Sequence, residues 1–209
     1  MPKIVDWDKR RDEVLAATWR VIAREGLQRT TIRRIAGEAG YSPGVLAHYF
    51  TNKQDILSSA LMLCHTRVRD RMRERTKSLI GLDALRVVIE EALPLDEERD
   101  LEAGIEINFW SQTLGNPELA KLQHNEFEPI LDDFRHPLLE AKALGQLSSD
   151  LDIEEAARAL MVLMDGLSIE RVLFPSRTTP ELQLRMLDLL LRTFDRGLEE
   201  QVTVAVESE

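Results

Sequence analysis

Apolar side chains recur at spacings of three and four along almost the whole 209-residue chain, and no segment alternates apolar with polar residues over the length of a strand. That period places successive apolar groups on one side of an α-helix but would scatter them over both faces of a pleated strand, so the pattern predicts an all-α fold. Glycine (10) and proline (8) are sparse and fall at separated points, where they punctuate helices. A first helix is expected from about Asp8 to Glu25, with Val14, Leu15, Trp19 or Thr18, and Ile22 on one face and Gly26 ending it. A second follows Thr31 and closes at Gly40. Ser42-Pro43 reads as a cap with proline in the first helical position, opening a third helix through about Phe50. A fourth is expected from Lys53 to about Lys77. Further breaks are expected near Gly81, Pro94, Gly115-Asn116-Pro117, Pro129, Gly145 and Phe174-Pro175, with Pro94 through Arg99 as a loop. The last two helices are expected at about Ile153–Leu173 and Pro180–Leu198, followed by a frayed tail.

The second and third helices have the proportions of a helix-turn-helix. The turn Ala39-Gly40-Tyr41-Ser42 needs positive φ, which Gly40 tolerates. Ile35, Ala36 and Ala39 suit the close approach of the first helix to its partner. In the second, Val45, Leu46 and Tyr49 or Phe50 can turn inward, leaving Ser42, Pro43, Gly44, Ala47 and His48 on the side that enters a major groove. Charge agrees with this placement. Residues 1–75 hold 15 Lys and Arg against 9 Asp and Glu, a balance of +6, whereas residues 76–209 hold 12 against 28, a balance of -16. The net charge of -10 conceals a basic N-terminal third, as expected of a segment that meets nucleic acid.

The run Thr30-Thr31-Ile32-Arg33-Arg34-Ile35-Ala36-Gly37-Glu38-Ala39-Gly40-Tyr41-Ser42-Pro43, continued by Gly44-Val45-Leu46-Ala47-His48-Tyr49-Phe50 and by Lys53, closely resembles the DNA-binding region of the tetracycline-repressor (TetR) family. The resemblance implies an N-terminal three-helix helix-turn-helix DNA-binding domain over 1–52, joined by a long helix to a larger ligand-binding and dimerisation domain over 53–201, with a flexible tail over 202–209. It implies a ligand-responsive transcriptional regulator of the repressor type. Its partners would be double-stranded operator DNA, a small-molecule effector and a second copy of itself, with no cofactor and no membrane. Carried over by position, Thr31, His48, Tyr49 and Lys53 would hold phosphates, and Arg33 or Arg34 would lie near the backbone or a groove edge. Ser42, Gly44 and Ala47 would read the bases, with Pro43 also on the DNA side. The chain departs from the family at Val45, where Thr or another small polar residue is commoner, and at Ala47, where Tyr is. Glu106-Ile107-Asn108-Phe109-Trp110, Asn116-Pro117-Glu118-Leu119 and Leu163-Met164-Asp165-Gly166-Leu167 resemble the betaine-inhibitor (BetI-like) subgroup.

The expected helices at 153–173 and 180–198 are apolar nearly all round and need cover on both sides. Pairing with a second copy supplies it, with Ala159, Val162, Gly166, Ile169, Leu187 and Leu191 as the interface. Along 180–198, Leu182, Met186, Leu189, Leu190 and Phe194 mark one apolar face, opposite the interface leucines, with Leu184, Leu187 and Leu191 outside that stripe. Met62, His65, Phe109, Trp110, Thr113, Met161 and Met164 are the candidates for an effector pocket, because aromatic and thioether side chains make adaptable apolar walls. The Phe109-Trp110 pair suits a quaternary ammonium, and the acidic balance favours a cationic or neutral effector. Arg67, Arg69, Arg71, Arg73 and Arg75 form no single stripe, since alternate residues lie about 200° apart on a helix, and they read as a solvated basic segment balancing an acidic partner.

Two other classes remain open on sequence alone. His124 with Glu128, and His136 with Glu140, have the spacing of helical metal ligands, but Pro129 and Pro137 are expected to interrupt them and four ligands are not assembled. No phosphate loop, nucleophile elbow or Cys/His dyad stands out, so no catalytic or metal residue is assigned and the chain is not read as an enzyme. An interaction protein that kept the fold without reading DNA is the other class. The single cysteine, Cys64, and the lack of a long uncharged apolar run fit a soluble cytoplasmic protein.

Overall fold

The computed structural model describes residues 7–26 and 29–194, and these form helices and connections with no strand. Contacts divide the chain into two compact units, Met1–Arg67 with Gly104–Gln123, and Val68–Ala103 with His124–Glu209.

The first unit contains α1 (Trp7–Glu25), α2 (Ile32–Ala39), α3 (Pro43–Leu46) and the opening of α4 (Lys53–Thr76). Val14, Leu15, Trp19 and Ile22 of α1 are buried, as are Ile35 and Ala36 of α2, Leu46 and Phe50 around α3, and Ile56, Leu57, Ala60 and Leu61 of α4. Trp19 Nε1 donates to the Ala60 carbonyl at 2.9 Å, so the largest buried ring also satisfies its polar atom. Thr31 caps α2, its hydroxyl accepting from the Arg34 amide at 3.3 Å. Gly40 ends α2 with φ of 74°, and the Tyr41 amide reaches back to the Ala36 carbonyl at 2.8 Å. That is the glycine-terminated helix end expected from sequence.

The second unit contains the rest of α4, α5 (Gly81–Ala92), most of α7 (Pro117–Ala143), α8 (Ile153–Leu173) and α9 (Pro180–Arg192), with α6 (Glu97–Thr113) contributing its first turns. Its core joins Met72, Leu85, Ile89, Leu131, Phe134, Leu138, Leu160, Met161, Leu167 and Leu187. Arg71 is drawn into it by two buried carboxylates. Its Nη1 and Nη2 lie 2.8 and 2.6 Å from Glu102, and its Nε lies 2.9 Å from Glu91, which Arg75 also pairs. Hydrogen bonding to Glu102 raises the Arg71 pKa further above its ordinary value. With Arg69 on Glu126 and Asp133, and Arg67 stacked 4.4 Å from the Trp19 ring in the first unit, these arginines meet partners inside their own units. The expected acidic partners are residues of the chain itself, but Arg67, Arg69 and Arg71 are half-buried rather than solvated, because their partners and the Trp19 ring cover them.

Four sequence expectations need correction. Pro129 does not break a helix, because both Pro129 and Pro137 lie inside α7. Proline removes an amide donor and disfavours the helical conformation before it, but burial of Leu131, Phe134 and Leu138 on the same helix outweighs that cost. The stretch from Pro94 to Arg99 is loop only in part, since α6 starts at Glu97 with acidic residues in its first turn. The third helix ends at Leu46 rather than near Phe50, and residues 47–49 form a turn. On α9 the expected faces are partly reversed: Leu187 is wholly buried, while Met186 and Leu189 are exposed. The ending near Leu198 and the tail lie outside the described residues. No described helix is long and apolar enough to cross a membrane.

Candidate nucleic-acid interface and effector site

Ser42 opens α3 in extended conformation and Pro43 supplies its first helical residue, so the missing proline amide is one the helix would leave unbonded anyway. Leu46 and Phe50 bury the inner side. Ser42, Pro43, Gly44, Ala47 and His48 are all exposed, Val45 is half-buried, and Thr31 and Arg33 are exposed on the neighbouring helix. Leu46 and Phe50 are thus the inner residues of this segment, and Val45, also expected inward, is only partly covered. Lys53, the first residue of α4, is half-buried, and burial alone holds its ammonium pKa below the ordinary lysine value. A phosphate beside it would restore the preference for the charged form.

Other placements differ. Arg34 is exposed but ion-paired with Glu25. Tyr49 is half-buried, and its side chain is hydrogen-bonded to Arg10 of α1. Sequence reasoning also missed how thoroughly α1 braces the motif. Arg20 and Arg24 hold Glu38 of α2 at 2.8 and 3.0 Å. Those two hydrogen bonds, from Arg20 first, keep the Glu38 carboxyl below its ordinary range. Glu13 accepts from the Tyr41 hydroxyl and raises its pKa. Arg11 reaches the end of the recognition segment. The α1 arginines were visible as charge in the sequence, but nothing in their spacing said which element they would meet.

Of the effector-pocket candidates, Met62, His65, Phe109, Trp110 and Thr113 fall in the first compact unit, and Met161 and Met164 in the second. Phe109 and Met161 are buried; Met62, His65, Trp110, Thr113 and Met164 are half-buried. Two of them converge on a residue quoted in the motif but not singled out, Glu106. Its Oε2 lies 2.7 Å from His65 Nε2, and its Oε1 accepts from Trp110 Nε1 at 2.7 Å and from Gln123 Nε2 at 2.8 Å. Burial pushes this carboxyl up, but the bond and charge from His65, then the bonds from Gln123 and Trp110, outweigh it and leave it below its ordinary value. The result is a carboxylate whose two oxygens are held by an imidazole, an indole and an amide.

In the second unit, α8 is apolar on opposite sides, as expected. Ala156, Ala157, Leu160, Met161 and Leu167 are buried, whereas Val162, Gly166 and Ile169 are exposed and Ala159 half-buried. Val162 is 64% and Leu189 60% exposed. Leu191 is half-buried, and Leu187 belongs to the core. Ala159, Val162, Leu163, Met186, Leu189 and Leu190 line an open groove of about 850 Å³ between α8 and α9, together with Glu154, Glu155, Arg158 and Thr193. His136 Nε2 lies 3.3 Å from Glu140, and no group of three metal-ligating side chains occurs among the described residues.

The sequence pattern described as "Bacterial regulatory proteins, tetR family" matches residues 14–60. That described as "BetI-type transcriptional repressor, C-terminal" matches residues 82–196, more than half of the chain. The chain belongs to the TetR family. It is thereby a DNA-binding transcriptional regulator in a family of ligand-responsive repressors, and α2 with α3 is its helix-turn-helix. A curated TetR-type relative, the HTH-type transcriptional regulator PksA of Bacillus subtilis (strain 168), is 31% identical over 182 residues, 87% of each chain. The HTH-type transcriptional regulator BetI of Stenotrophomonas maltophilia (strain R551-3) is 26% identical, over 80% of this chain and 83% of that one. A crystal structure of a protein from Saccharomonospora viridis in complex with choline has the same fold, with a TM-score of 0.82 at 23% identity over 90% of this chain and 99% of that one.

Proposed function

We propose that this TetR-family protein is a homodimeric repressor that binds a palindromic operator and is released from it by a small molecule. The observation that carries the reading is the recognition segment, where Ser42, Pro43, Gly44, Ala47 and His48 stand exposed over a buried reverse side. Small side chains let the segment lie deep in a major groove, and the Ala47 methyl suits a thymine methyl. Thr31, Arg33, His48 and Lys53 serve as phosphate contacts that fix register. Tyr49 and Arg34 do so only by leaving Arg10 and Glu25, which makes them the weaker members of the set. With so few base-reading groups, sequence-dependent DNA shape supplies part of the specificity.

Two copies pair through Ala159, Val162, Gly166 and Ile169 of α8, with Met186 and Leu189 of α9 in place of Leu187. Pairing covers exposed apolar surface and provides two recognition segments for two half-sites. Residues 1–52 act as the DNA-binding domain and 53–201 as the effector and dimerisation domain, and the protein works in the cytoplasm without catalysing a reaction. The effector is an organic cation, with Glu106 as its countercharge beside Trp110 and His65. The choline complex of the Saccharomonospora viridis protein supports that class. By linkage, operator DNA must weaken effector binding by the same factor that effector weakens DNA binding.

The test is fluorescence anisotropy against a duplex from upstream of the protein's own coding region, and against a duplex enriched by the protein from a random pool. A scrambled duplex at the same salt is the control. The reading expects preference for at least the enriched duplex, at two protomers per site. Failure to enrich any sequence would overturn it.

A further inference from the structure

The recognition helix α3 is four residues long, far below the length at which a helix is stable on its own. Its last carbonyls have no partners within the helix and must find them elsewhere. Leu46 receives the amides of Tyr49 and Phe50, both at 2.9 Å, which leaves the Tyr49 carbonyl at the exit of the segment. Arg11, in α1, meets that carbonyl. Its Nη1 donates to Tyr49 O at 3.2 Å, its Nη2 to Ser59 Oγ at 2.7 Å, and its guanidinium carbon lies 4.7 Å from the centroid of the Phe50 ring. Ser59 in turn donates to Asp55 Oδ1 at 3.4 Å, and Asp55 Oδ2 accepts from the Thr51 amide at 2.8 Å. One planar fork thus ties α1, the end of the recognition segment and the first turns of α4 together.

We infer that Arg11 is a positioning residue for operator recognition: it sets the pose of the recognition segment against α4 and does not itself hold a phosphate. Both of its terminal nitrogens point at partners within the fold, and its flat face covers Phe50. In this it differs from Lys53, which carries its charge at a helix start without such a fork. Lysine cannot replace it, because a single ammonium lacks the fixed two-pronged geometry that bridges Tyr49 O and Ser59 Oγ while stacking on a ring.

The inference rests on the reading of the protein as an operator-binding regulator, and the experiment separates the two. Wild-type protein and the Arg11→Gln, Arg11→Lys and Ser59→Ala variants are titrated by anisotropy with the pool-enriched duplex and its scrambled control across a salt series. Circular dichroism fixes a temperature at which each variant is folded. Arg11→Gln and Arg11→Lys are expected to lower affinity for the enriched duplex by about tenfold, as loss of a charge-assisted hydrogen bond does. Affinity for the scrambled duplex and the salt slope should stay as in wild type. Ser59→Ala, which keeps the charge, should show the same pattern at a few-fold. A salt slope shallower by about 0.9 per protomer in Arg11→Gln, with both duplexes weakened alike, would make Arg11 a phosphate contact and overturn the inference. So would unchanged affinity for the enriched duplex in Ser59→Ala, the variant that decides if Arg11→Gln does not fold. If wild type enriches no duplex, the operator reading fails first and takes the inference with it.

Discussion

The recognition segment and the outer face of α8 are both open to solvent, yet they expose opposite chemistry. Ser42, Pro43, Gly44, Ala47 and His48 are small or polar, and the basic residues Arg33, exposed, and Lys53, half-buried, flank them in the chain. Val162, Ile169 and, on α9, Met186 and Leu189 are large and apolar. Water solvates the first group at little cost. It solvates the second poorly, at about 25 cal/mol for each Å² left uncovered. A small, basic and already ordered surface is suited to a wet, charged partner such as a duplex. A contiguous apolar one calls for a dry partner, and a second copy of the same face satisfies the requirement by symmetry.

The sharpest way to break this comparison is to give the α8 and α9 face the chemistry of a free surface. Val162→Asp with Leu189→Asp places carboxylates on the face through which we propose that two copies pair, and like charges repel across a two-fold axis. The double variant is expected to sediment as a folded monomer and to lose about a hundredfold or more in operator affinity, because one half-site no longer assists the other. A variant that remains dimeric would move the interface elsewhere.

A smaller effect tests the other surface. Lys53→Ala is expected to weaken enriched and scrambled duplexes alike by about tenfold and to flatten the log–log salt slope by about 0.9 per protomer. If only the sequence preference changed, Lys53 would belong with the base-reading groups rather than with the phosphate contacts.

The third test concerns a polar group that neither surface exposes. Because Glu106 is held below its ordinary carboxyl pKa, its bonds contribute stability above the unfolded value. That contribution is lost as pH falls through the lower folded one. Wild type should therefore lose urea resistance on acidification below about pH 5, and Glu106→Gln should show a flatter acid limb over the same window. Equal slopes would mean that the carboxylate is not stabilised by His65, Gln123 and Trp110.

Much of this was legible in the sequence, and the exceptions have a common cause. The helix-turn-helix could be read because its determinants are local: Thr31 caps, Gly40 turns, Pro43 starts, and Leu46 and Phe50 face inward at helical spacing. The ends of α8 were equally plain, set by Asp152 accepting from the Glu154 and Glu155 amides and by Phe174 closing the last turn. Where a residue's role depended on what arrived from elsewhere in the chain, periodicity was silent. Leu187 and Leu189 are both leucines on one amphipathic helix, and only the packing of Leu187 into the core separates them. Pro129 looked like a stop signal, but the apolar residues after it keep α7 helical. Glu106 was one carboxylate among many until His65, from another helix, met it. The arginines of α1 were countable as charge, while the carbonyl and rings they serve were not.

The brevity of α3 has a thermodynamic consequence. A four-residue helix that rests on buried Leu46 and Phe50 is already ordered before DNA arrives, so binding does not have to fold it. The heat-capacity change of operator binding should then match the surface the duplex covers, without the large excess that accompanies coupled folding. Association at the recognition segment would resemble the docking of two finished surfaces, and its temperature dependence would belong to hydration rather than to the chain.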